Sequence, residues 1–93
     1  MADTYAGPAT MVVGDREWKL GTVHLRKRLL GGLESWTGEV PVIDAAAAQE
    51  ANAAGSFTLR LPGGREGQAD WGASSRSGGS TLGVFVGAGP PPF

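Results

Sequence analysis

The chain has 93 residues, enough for one small core and too few for two. Its net charge of −1, from eight basic and nine acidic side chains, gives no general attraction for nucleic acid or an anionic membrane. The lack of cysteine excludes disulfides, thiolate metal sites and a cysteine nucleophile, while 41% hydrophobic and 18% charged residues fit a folded globule better than a disordered chain.

The opening "MADTYAGPATMVV" carries no basic stretch ahead of an apolar one, and the longest apolar run is far too short to cross a bilayer. A cytoplasmic location without membrane contact is the expectation. Residues 1–6 are expected to be flexible. "PATMVV", Pro8 to Val13, reads as a first strand, Gly14-Asp15 as a turn, and "REWKL" as the start of a second strand. Trp18 and Leu20 share one face there, yet beyond Gly21 the apolar positions are Val23 and Leu25. A parity slip of one residue is what a bulge produces, and Gly21 is its natural site.

The second strand runs out through His24, Arg26 and Arg28 to a Gly31-Gly32 turn. "ESWTGEVPV" predicts a third strand with Trp36, Gly38, Val40 and Val42 on one face, and Pro41 there suggests a sheet edge. Residues 44–55, "DAAAAQEANAAG", form the one helical stretch: Asp44 suits the N-cap, alanine has the highest helix propensity, and Gly55 suits a left-handed C-cap. Three strand segments follow. "SFTLRLP" points Phe57, Leu59 and Leu61 inward before a Pro62-Gly63-Gly64 turn. "REGQADWGA" groups Ala69, Trp71 and Ala73 before the polar turn "SSRSGGS", and Leu82, Val84 and Val86 make the last inward row. The prolines of residues 88–93 then end ladder pairing.

The predicted fold is mainly β: a small antiparallel β-barrel of about six strands, with one short Ala-rich helix between strands three and four. Closure removes the free edges that so many short strands would otherwise expose. The helix position matches the order of an OB-fold, although a sixth strand exceeds a five-stranded barrel; an SH3-like barrel is equally open.

Candidate functional groups are few. His24, Arg26, Lys27 and Arg28 form the only basic cluster, read either as a phosphate strip or as the solvated face of a long strand. His24 is the only histidine and has no Ser or Cys partner in any motif, so no catalytic residue is assigned. "LPGGREGQADWG" lacks the Lys-Ser/Thr ending of a phosphate loop, and the carboxylates show no metal-loop spacing, so no metal or cofactor is expected. Trp18, Trp36 and Trp71 sit on predicted inward faces. They read as barrel core or as an aromatic pocket for a flat, apolar ligand. Phe93 is held by a stiff proline run, either as a lid on the barrel mouth or as an anchor for a partner.

"YAGPATMVVGDRE" (5–17), "SWTGEV" around Trp36, "LPGGREGQADWG" and "VGAGPPPF" together resemble a family of small actinobacterial domains of unknown function. Members occur alone or appended to flavin-dependent monooxygenases and related oxidoreductases, which implies an accessory role. The family pattern carries an acidic, aromatic-rich stretch near the third strand, and "RLLGGLESWTGEV" keeps only its tryptophan. Three functions follow as expectations. The first is a non-enzymatic module binding a partner protein or a small apolar ligand. The second is an OB-like nucleic-acid binder, which the charge balance disfavours. The third is a self-associating structural protein, viral or from a compartment.

Overall fold

The structure, a computed structural model, describes residues 4–77 and 80–93. Six strands, β1 (Thr4–Val13), β2 (Arg16–Leu30), β3 (Leu33–Val40), β4 (Ser56–Arg60), β5 (Glu66–Ser77) and β6 (Ser80–Ala88), close into a barrel in the order β1-β2-β3-β6-β5-β4. Every pairing is antiparallel, β3 with β6 included. One helix, α1 (Ala45–Ala54), carries the chain from β3 across to β4.

Local chemistry sets the turns. Gly14, Gly31, Gly32, Gly63 and Gly64 take positive φ at the hairpins, where a side chain would be strained. The bulge expected at Gly21 is present: Pro8 pairs with Thr22 and Ala9 with Leu20, leaving Gly21 without a partner. A second bulge, at Gly72, lies between Trp71 paired with Phe85 and Ala73 paired with Val84. It turns Ala73 outward, so the expected Ala69–Trp71–Ala73 row breaks after Trp71.

Several sequence expectations are corrected. β1 starts at Thr4, so residues 4–6 belong to the sheet; residues 1–3 lie outside the described residues. Pro41 caps no free edge, because β3 pairs on both sides; it falls just past Val40, where a missing N–H costs no ladder bond. Val42, expected inward, is exposed, and Ile43 is buried in its place. The polar turn is shorter than its composition suggests, since β5 reaches Ser77 and β6 starts at Ser80; Gly78 and Gly79 lie outside the described residues.

The largest correction concerns β6. Val84 and Val86 face solvent, and the inward positions are Thr81, Gly83, Phe85 and Gly87. The cause is volume. A side chain added at Gly83 would collide with the Trp71 ring, and one at Gly87 with the Trp36 indole. Rings reaching across from β5 and β3 fill the space that valines would need.

Rings dominate the core. Phe93, Trp36, Phe85, Phe57 and Trp71 form a continuous series of edge-to-face pairs with centroids 6.4, 6.1, 5.2 and 6.1 Å apart. Met11, Val23, Leu25, Val40 and Leu59 complete the interior, each almost fully buried. The indole N–H groups of Trp18, Trp36 and Trp71 are buried without a protein acceptor.

Both mouths are covered. At one end α1 packs Ala47, Ala48 and Ala51 against β1, β4 and β5, where alanine permits close approach. Asp44 accepts from the Ala46 N–H at 2.8 Å, and Gly55 ends the helix at φ 83° with its N–H on Ala51. At the other end, toward the β2–β3 hairpin, the tail folds back. Pro92 is buried over Gly67, and Phe93 packs on Trp36 with the Lys27 ammonium 5.3 Å from its ring centre. Phe93 is thus folded back against the barrel, partly buried on its core.

Candidate functional site: a cleft on the outer wall

Among the described residues a recess lies on the outer wall of the barrel. It is a cleft of about 580 Å³ crossing β1, β2, β3, β6 and β5. Antiparallel pairing places its outward residues in two cross-strand rows, on either side of the row Tyr5–Leu25–Gly38–Phe85, in which Leu25 and Phe85 are buried. One runs Thr4–Arg26–Thr37–Val86, and the next runs Ala6–His24–Glu39–Val84. Arg28, opposite Ser35, extends the β2 side, and the bulged Gly72 on β5 closes the far side.

Strand alternation explains this composition. Residues two apart share a face, so His24, Arg26 and Arg28 form one wall along β2, while Val84 and Val86 form the facing wall along β6. Between them β3 contributes short Thr37 and the carboxylate Glu39. Val86 is 52% exposed and Val84 36%, so two aliphatic side chains face water inside a recess.

The electrostatics separate the arginines into two groups. Arg16 pairs with Glu50 at 3.6 Å. Arg60 binds Glu66 at 2.8 Å and Glu17 at 3.5 Å, and the Glu66 hydrogen bond holds its guanidinium above the ordinary value. Arg26 and Arg28 make no ion pair among the described residues. They are free to meet an anion.

The sequence-predicted groups divide between core and surface. His24, Arg26 and Arg28 are exposed on one face and join the cleft; Lys27, of opposite parity, turns in beneath Phe93. None of the three tryptophans lines the cleft. Trp36 is 0% exposed, Trp71 packs on Phe57, and Trp18 lies under the Arg16 guanidinium at 5.2 Å, so no common aromatic pocket forms. The sequence reading missed the aliphatic wall. Its signal was the interleaving of Gly83 and Gly87 with the valines, which leaves room for indole rings on the opposite face of β6.

Among the described residues no helix is long and apolar enough to cross a membrane, and no group of three His, Asp or Glu side chains is placed to hold a metal ion. Fold and site define a class: a small closed antiparallel barrel, covered at both mouths, with a recess on its outer wall. No protein-family model, curated protein or solved structure matches the chain.

Proposed function

We propose that this protein is a non-enzymatic binding module of the cytoplasm that engages a partner protein through the outer cleft. The carrying observation is the pair Val84 and Val86, held exposed in a recess opposite Arg26 and Arg28, which make no ion pair among the described residues. The inner positions carry Trp36, Phe57 and Phe85, with Trp71 packed against them, so recognition is assigned to the outside. The nucleic-acid reading loses support because Trp36 is fully buried, Trp18 and Trp71 pack against the core away from the cleft, and Glu39 sits among the cations. The resemblance to domains appended to flavin-dependent oxidoreductases supports an accessory role beside such an enzyme.

The test is a random peptide display selection on the immobilised full chain. Selected peptides are then measured by fluorescence anisotropy against wild type, Thr37→Arg and Lys19→Ala. Thr37→Arg fills the cleft floor, whereas Lys19 lies elsewhere on β2. Thr37→Arg is expected to weaken binding by at least about tenfold, with Lys19→Ala unchanged. No enriched peptide, or peptides indifferent to Thr37→Arg, would remove the proposal.

A further inference from the structure

We infer that the cleft's occupant is an extended protein segment in which carboxylate and aliphatic side chains alternate, acids toward Arg26 and Arg28 and aliphatics toward Val84 and Val86. The inference rests on the binding role just proposed and specifies the partner's chemistry.

Three features of the grid lead to it. The first is width. Arg26 and Val86 are two ladder steps apart, with Thr37 between, so their Cα atoms are separated by about 10 Å. An extended chain running along β3 over Thr37 would fill that gap, and its successive side chains would point to opposite walls. One alternate set meets guanidinium groups and the other meets valine methyls.

The second feature is charge. Arg26 and Arg28 offer planar donor pairs suited to carboxylates and have no ion-pair partner among the described residues. Glu39, opposite His24, opposes an acid at that end. The segment's carboxylates therefore lie toward Arg28, which gives the occupant a direction as well as a composition.

The third feature is closure. Beneath the cleft the ladder is already occupied on both sides of β3, Arg26 with Thr37 and Thr37 with Val86, so a segment seated over Thr37 cannot add as a further strand there. Selectivity must come from side chains, and the two walls supply opposite kinds. A phosphate backbone would satisfy the arginines but leave the valines facing a polar strand. An aliphatic ligand without charge would leave the arginines unused.

The experiment uses the full chain and a labelled short peptide alternating glutamate and valine. Two companion peptides replace the glutamates by lysine or the valines by serine. Anisotropy is expected to show binding of the first, loss of at least about tenfold for either companion, and several-fold weakening between about 50 mM and about 300 mM salt. In the double variant Arg26→Glu, Arg28→Glu the preference should reverse, with the lysine–valine peptide now bound. Should that variant melt early, Arg26→Gln, Arg28→Gln serves instead and is expected to lose both peptides. If selected peptides compete at the Thr37→Arg-sensitive site while the glutamate–valine peptide does not bind, the acidic assignment is wrong and the binding role stands. If neither binds, the role itself fails. A single-stranded oligonucleotide binding as well as the glutamate–valine peptide would assign the arginines to phosphate and overturn the inference.

Discussion

At Gly83 and Gly87 the missing side chains make room for the Trp71 and Trp36 rings. Substitution at these positions forces a choice between moving an indole and bending a strand. Gly87→Ala is expected to cost about 1–3 kcal/mol, the range for overpacking a tight core. Gly21→Ala is the matched control: the position is exposed, its φ is not positive, and an added methyl would meet nothing within 4 Å. Its stability should stay within about 0.5 kcal/mol of wild type. Urea melts of the two variants check both statements, and equal losses would show that Trp36 does not press on Gly87 in solution. The same positions show why part of the sequence misleads. Alternation places Leu82, Val84 and Val86 on one face correctly, but period two cannot say which face is inside. Hydrophobicity decides that when all side chains compete for the core on equal terms. Here the Trp71 and Trp36 rings had already taken the space. The aliphatic wall of the cleft is hidden for the same reason, since its valines read as core.

Single elements are easier to read when their signal is local. The Gly21 bulge follows from a parity slip within a few residues, and α1 follows from Asp44, an alanine run and Gly55, all of which act on adjacent backbone. Val42 misleads because the strand rule is carried past Pro41, where the chain leaves the ladder to reach the helix. The helix makes a test of its own. With no acidic side chain in its first turn and no basic one in its last, α1 depends on its caps and on three buried alanines. Asp44→Ala removes the acceptor of the Ala46 N–H and is expected to cost about 1 kcal/mol. Asp44→Ser, which keeps an acceptor, should recover most of that loss in the same melts. Failure of serine to rescue would mean that Asp44 acts through its charge and not as a cap.

In the whole molecule the tail is as much a part of the barrel as the helix, each covering one mouth. Phe93 contributes an edge-to-face contact with Trp36, worth about 0.5–1.5 kcal/mol beyond the area it buries. Lys27 over the same ring adds about 0.5–1 kcal/mol. Phe93→Ala should therefore lower stability by about 1–2.5 kcal/mol before lost burial is counted, and by about 4–8 °C in Tm per kcal/mol for a domain of this size. Loss of the ring also opens a path to Trp36, otherwise inaccessible, so iodide quenching of the indole fluorescence should rise. Pro92 still rests on Gly67, which limits the effect to the mouth itself. The cleft does not include the tail, so peptide affinity measured below the melting range should be unchanged. These two readouts separate the roles Phe93 could play. A lid changes quenching and Tm but leaves affinity alone, whereas an anchor for a partner would change affinity first. A Phe93→Ala variant with unaltered quenching and weakened partner binding would reverse the assignment of both the tail and the outer wall, because the contact surface would then lie at the mouth.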